Sequence, residues 1–211
     1  VSLTSASTGG VLINTNVLFI SLFSALFLHE RFTKLKAAGI IISFIGVIFV
    51  FFGQMSNESI SYSESFLIGS FLIIFSAICW AVYSIVGKHM LEKEDPLVIN
   101  ANVFLIGTLL FVPFIFSDAS TILTNMSVSG ILAVLYLGLF CSVFAYISWY
   151  HSLSKIEAAE SAVFLNLIPL FTILLSFFIG EFPSILFLFG AGLIILGVIL
   201  VQKAKSMIAS K

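Results

Sequence analysis

The stretch that decides the fold runs from Ala37 to Gly53, AAGIIISFIGVIFVFFG. It carries no charge, and Ser43 is its single polar side chain. A helix needs about 20 such residues, within a range of roughly 17 to 25, to cross the ~30 Å hydrocarbon core of a bilayer. Six other runs are similarly long and predominantly apolar: Val11–Leu28, Phe66–Val86, Leu97–Ser117, Ser129–Tyr150, Ala158–Gly180 and Ile185–Val201. Short polar breaks separate them and hold nearly all the charge. Asp95-Pro96 has the form of a helix start, with proline in the first turn.

Composition agrees. Hydrophobic residues make up 60% of the 211-residue chain and charged ones 9%. A soluble domain is about one quarter charged, so this chain has too little charge to solvate a globular surface. In lipid every backbone group must bond internally, which leaves helices or a closed barrel. The runs are too continuous for the ~10-residue alternation of barrel strands. The expected fold is an all-α polytopic membrane protein with about seven transmembrane helices. A net charge of −1 gives no reason to expect a nucleic-acid partner. Cys79 and Cys141 fall inside apolar runs and read as buried structural thiols. No signal peptide is evident after Val1 and there is no initiating Met, so the chain reads as beginning part-way through a longer arrangement.

The basic residues test the map. Arg31, Lys34 and Lys36 follow the first span, Lys88 and Lys93 the third, Lys155 the fifth, and Lys203, Lys205 and Lys211 the seventh. All nine fall on one side of the membrane. The positive-inside rule makes that side cytoplasmic, with the N-terminus of this chain outside and the C-terminus inside.

An internal repeat lies over this pattern. Glu30, Gly39, Gly46 and Val47 recur as Glu181, Gly190, Gly197 and Val198, each 151 residues on. Phe27, Ile48 and Val50 recur as Phe178, Ile199 and Val201 at the same offset. Five helices separate the copies, so the copies face opposite ways, as in the inverted repeats of secondary transporters. Glycines seven residues apart share a helix face and admit a close neighbour.

The motif of an apolar helix, His29-Glu30 or Gly180-Glu181, a short loop and then Gly-x6-Gly-Val resembles the EamA-type family of the drug/metabolite transporter superfamily. Gly69 to Ala77, Trp80, Ala81 and Lys88 are similar to the first helix of a family repeat. Ala145, Tyr146, Trp149 and Tyr150 are similar to its third, and Pro169 to the mid-helix proline of its fourth. The resemblance implies a ten-helix inverted-repeat (5+5) transporter fold. Residues 1–53 would be the last two helices of a first repeat and 54–65 an extracytoplasmic linker. Residues 66–203 would be a complete second repeat, and 204–211 a cytoplasmic basic tail. Leu18 stands where the first repeat would often have proline.

No span carries a charge near its centre, which argues against a buried-carboxylate relay within this chain. Recognition then falls to polar and aromatic groups. Trp80, Tyr83, Tyr146, Asn166 and Pro169, with Asn14, are the candidates for a substrate pathway. Glu30, Gly39, Gly46, Glu181, Gly190 and Gly197 are the structural residues of the repeat. Asn100 and Asn102 are two apart, so at most one faces inward. Trp149 and Tyr150 read as interfacial aromatics, and each intramembrane Asn reads equally as interhelical glue. Glu30 and Glu181 read as helix-end anchors.

Three function classes follow. The leading one is a secondary transporter, or a portion of one, moving a small organic metabolite or drug by alternating access. A second is a non-transporting fragment or subunit that needs a partner chain. A third, a membrane enzyme, lacks support: there are no paired acids near mid-bilayer, no Ser/His arrangement at a span end and no His/Cys cluster with metal-ligand spacing. Neither a cofactor nor a metal is expected. The expected partners are the lipid bilayer and a small-molecule substrate, with a homodimer also compatible. The expected location is a prokaryotic plasma membrane.

Overall fold

A computed structural model describes residues 12–54, 64–115, 127–168, 170–171 and 185–209. The described elements are helical, with no strand among them. In chain order they are α1 (Asn16–Phe27), α2 (Lys34–Gln54), α3 (Glu64–Met90), α4 (Pro96–Ile115) and α5 (Val128–Tyr136). A π-helical segment (Leu137–Phe144) joins α5 to α6 (Ala145–Lys155). α7 (Ala158–Val163) runs into a 3-10 segment (Phe164–Leu167), and α8 (Ile185–Ala209) closes the chain. Within the described residues, five helical stretches are long and apolar enough to cross a membrane: Lys34–Phe52, Phe66–Met90, Pro96–Pro113, Val128–Lys155 and Ile185–Ala204. Leu12–Phe27 and Ala158–Leu167 are shorter apolar helices.

Local chemistry sets the ends. The Thr33 hydroxyl accepts from the Lys36 N–H at 3.1 Å and starts α2. Asp95 Oδ1 accepts from the Leu97 N–H at 2.8 Å, and Pro96 opens α4. Ser127 Oγ caps α5 through the Gly130 N–H at 3.1 Å. Each satisfies a backbone donor that a helix start leaves unpaired. α1 ends differently. His29 adopts φ 53°, which turns the chain so that the Leu28 and Glu30 N–H groups both bond the Ser24 carbonyl, at 3.1 and 3.3 Å. That left-handed conformation suits glycine, the residue found 151 positions on at Gly180.

Two compact units emerge, one of residues 1–86 and 157–211, the other of residues 87–156. The core of the first is α2 laid antiparallel along α8. Lipid tails are as apolar as leucine, so association in a membrane depends on tight packing rather than on escape from water. Glycine supplies the closeness. A Cβ on Gly39 would lie 2.8 Å from the Gly197 carbonyl oxygen, and one on Gly46 2.7 Å from that of Gly190. The contacts are reciprocal. Gly39 faces Gly197 and Val201, while Gly190 faces Gly46 and Val50. Gly46 faces Gly190 and Ile194, while Gly197 faces Gly39 and Ser43. Adding or subtracting 151 converts each set into its counterpart, as a local two-fold relation requires. Phe49 and Phe189 extend the interface edge to face, with centroids 5.2 Å apart.

In the second unit Gly87 admits the Tyr150 ring, which would collide with any Cβ there. Tyr150 is consequently buried, not an interfacial aromatic as its place near the span end suggests. Lys88 lies inside the last turn of α3, not in a loop. Its ammonium donates to the Leu153 carbonyl at 2.8 Å and to the Ile156 carbonyl at 2.5 Å. A cation there complements the carbonyl-rich C-terminus of α6.

The outward faces are apolar. Leu67, Phe71, Phe75, Val82 and Val86 form an exposed stripe along α3. In water such a stripe would drive aggregation; a hydrocarbon environment accepts it. Cys79 and Cys141 are both free and exposed, which corrects the expectation of buried thiols. They lie on apolar helices whose outer faces are exposed throughout.

Gly190 and Gly192 lie two residues apart on α8, one in contact and one open. Gly190→Ala is expected to cost about 1–3 kcal/mol through overpacking, and Gly192→Ala to be neutral or slightly stabilising. Thermal unfolding in detergent distinguishes them. His29→Gly is expected to gain about 0.5 kcal/mol by relieving the left-handed strain, net of glycine's entropy, read in the same assay.

Candidate functional site

Within the first unit, two helices are interrupted at corresponding places. The helix that holds Leu12 breaks at Thr15, whose N–H and hydroxyl both bond the Leu12 carbonyl, at 3.2 and 2.6 Å. α1 then continues from Asn16. The second interruption is the 3-10 segment Phe164–Leu167 after α7. Subtracting 151 from its bounds gives 13–16, which overlaps the turn Leu12–Thr15 to within one residue. A 3-10 stretch inside a helix often marks a hinge or a strained functional position. Paired discontinuous helices in the two halves of a transporter fold point to its binding site.

Both breaks carry amides. Asn14 is 7% exposed and Asn166 fully buried. Asn166 Nδ2 donates to Ser43 Oγ at 2.7 Å, and the Ser43 hydroxyl donates to the Ile40 carbonyl at 2.9 Å. Because the hydroxyl hydrogen is directed to Ile40, the atom facing Ser43 must be the amide nitrogen, which fixes the amide orientation. Among the described residues no donor reaches Asn166 Oδ1 or Asn16 Oδ1. Leaving a buried acceptor unmatched costs about 1–3 kcal/mol. The neighbouring hydroxyls are engaged within their own helices: Ser21 with the Val17 carbonyl at 2.7 Å and Ser24 with the Ser21 carbonyl at 3.0 Å. The polar groups left over at the breaks are therefore acceptors. Pro169 lies outside the described residues; having no N–H, it cannot donate to the Leu165 carbonyl.

The aromatic candidates separate by unit. Trp80 and Tyr83 stack on one face of α3, with centroids 5.3 Å apart and planes inclined by 37°. Tyr146 stands edge to face with Phe104 at 5.2 Å in the other unit. Of the amides on α4, Asn100 is buried and Asn102 exposed. The Asn100 side-chain oxygen too has no donor among the described residues.

Glu30 anchors the start of α7. Its carboxylate accepts from the Ala158 N–H at 2.7 Å and the Ala159 N–H at 3.4 Å. Charge-assisted bonds at a helix N-terminus are favourable on both hydrogen-bond and dipole grounds. Glu181 lies outside the described residues. Beside Glu30, the buried Lys36 ammonium is ion-paired with Glu157, the residue preceding α7. Sequence reasoning missed this pair, and it missed Ser43 as the partner of Asn166. The partners lie 121 and 123 positions apart in sequence, so neither pairing is visible locally. No group of three His, Cys, Asp or Glu side chains that could hold a metal occurs among the described residues.

Comparison with known proteins bears on the whole arrangement. Residues 1–52 and 67–202 match the EamA-like transporter family. Two uncharacterised transporters of the archaeon Archaeoglobus fulgidus are 32% and 30% identical over 93% and 95% of this chain. The chain spans 67% and 69% of their lengths, and 64% of an uncharacterised transporter of Bacillus subtilis, YyaM, at 31% identity. A probable terminal-alkyne amino-acid exporter of Streptantibioticus cattleyicolor is 26% identical over 94% of the chain. A crystal structure superimposes on 98% of this chain and 70% of its own with a TM-score of 0.80 at 20% identity, which establishes the fold. The apolar helices, the glycine-packed repeat and these matches together make this chain an integral membrane protein that belongs to the EamA-like transporter family.

Proposed function

We propose that the protein moves a small organic solute across the membrane by alternating access, at a site set by the two helix breaks. The carrying observation is the overlap of Leu12–Thr15 and Phe164–Leu167 under the 151-residue offset, with buried amides at both. In this reading the chain crosses the bilayer seven times, as the last two helices of one five-helix repeat (1–53), a linker (54–65) and a complete second repeat (66–203). The N-terminus of the chain is outside and the basic tail, 204–211, is cytoplasmic. The membrane is a prokaryotic plasma membrane, in keeping with bacterial and archaeal relatives. Trp80, Tyr83 and Tyr146 supply aromatic surface to the pathway, Asn14, Asn166 and the Pro169 region its polar contacts, and no chemical step is involved. The exporter relative supports a solute of amino-acid size.

A second reading is a module that works only with a partner chain, a second copy included. It rests on the coverage of the archaeal relatives' lengths.

Vesicles containing the protein and loaded with a panel of labelled amino acids and similar metabolites test both readings. Flux of at least one solute is expected, falling roughly tenfold or more in Asn166→Ala through loss of a buried hydrogen-bonding group while membrane insertion is retained. No flux over the panel from the protein alone or as a dimer would sink the transport reading. Flux only from cross-linked dimers would establish the second reading.

A further inference from the structure

The repeat makes any departure from symmetry informative. Glu30 has a counterpart in Glu181, but the ion pair beside it has none: positions 151 removed from Lys36 and Glu157 are Phe187 and Ala6. One end of the molecule has a charged tie where the sequence provides only apolar residues at the other.

The tie joins unlike elements. Lys36, 1% exposed, is in the first turn of α2, which the glycine contacts fix against α8. Glu157 immediately precedes α7, a six-residue rod whose every residue is buried. The rod is bounded before Glu157 by extended backbone at Ile156, φ −133° and ψ 168°, and after Val163 by the 3-10 turn. Both boundaries are places where a helix can pivot. Glu157 also follows directly on the last residue of the other compact unit. Separating a buried lysine from its carboxylate strands a charge, so the paired state is strongly favoured over any state that parts them.

We propose that the Lys36–Glu157 pair is a one-sided latch. It holds the half-helix α7 against the fixed α2–α8 frame and closes the basic, cytoplasmic end of the pathway. Because the other copy has no such pair, the resting protein favours closure on this side. The proposal rests on the transport reading above.

The test uses the protein in membrane vesicles, with Cys79 and Cys141 replaced by Ala. One cysteine is placed at Val163, at the inner end of α7, or at Leu12, its repeat counterpart. A membrane-impermeant maleimide is applied from the basic side for Val163→Cys and from the opposite side for Leu12→Cys. Lys36→Met is expected to speed labelling at 163 roughly tenfold and to slow it at 12 by a similar factor, within the usual range of coupling between sites. Exchanging the charges, Lys36→Glu with Glu157→Lys, is expected to restore both rates. Glu157→Gln is the parallel variant if Lys36→Met is not recovered in the membrane. Unchanged rates at 163 overturn the latch. So does acceleration at both positions, which is what mere loosening of a structural anchor produces. Solute flux is measured separately. Flux without reciprocal labelling removes the latch and leaves transport standing; reciprocal labelling without flux does the opposite.

Discussion

Close approach of two backbones governs this molecule. In a bilayer the side chains of α2 and α8 gain nothing from burial that lipid would not also give. What holds the helices together is the density of contact that Gly39, Gly46, Gly190 and Gly197 allow. With Cβ atoms at those sites the backbones would have to separate, and dispersion forces fall away within an ångström of the contact minimum. The seating of Asn166 on Ser43 depends on this, since Ser43 is held on the face of α2 that meets Gly197. So does the reach of Lys36 to Glu157, because α2 fixes where that ammonium lies.

Membrane character and the place of most helices could be read from the sequence because both rest on one-dimensional signals. Long apolar runs mark spans, and Asp95-Pro96 marks a start that the structure places at Pro96. The offset of 151 also came from residue identities alone. It paired Gly39 with Gly190 and Gly46 with Gly197, which is correct for equivalence. Contact crosses those pairs, Gly39 on Gly197 and Gly46 on Gly190, because antiparallel helices meet end to opposite end. Sequence comparison finds equivalence and has no access to contact, which depends on relative direction in space.

Other features needed three dimensions. Tyr150 reads as an interfacial aromatic until Gly87, 63 positions earlier, is seen to leave room for its ring. Cys79 and Cys141 are apolar in context on every side, so sequence could not say which face of the helix they occupy. Hydroxyls present the same difficulty. Ser21, Ser24 and Ser43 look like candidate ligands in a list of polar residues, yet each donates to a carbonyl of its own helix. In lipid, with no water to compete, that local bond is the default for serine. The amides, with both donor and acceptor ends, retain capacity once the hydroxyls are engaged.

The π-helical segment Leu137–Phe144 carries a consequence for how the apolar stretch Val128–Lys155 tolerates change. Its bonds run to the fifth residue, as from the Ala145 N–H to the Phe140 carbonyl, so the segment holds about one residue more than an α-helix over the same rise. Counting by 3.6 across it places Gly130 and Tyr146 in the wrong angular relation. The surplus also acts as slack. Loss of a single residue between 137 and 144 would tighten the segment into α-helix and leave α5 and α6 in their present registers, whereas the same loss within either would rotate everything beyond it by about 100°. Length variation among proteins of this architecture should therefore collect in this segment, a place where insertion and deletion act as a gear rather than as damage.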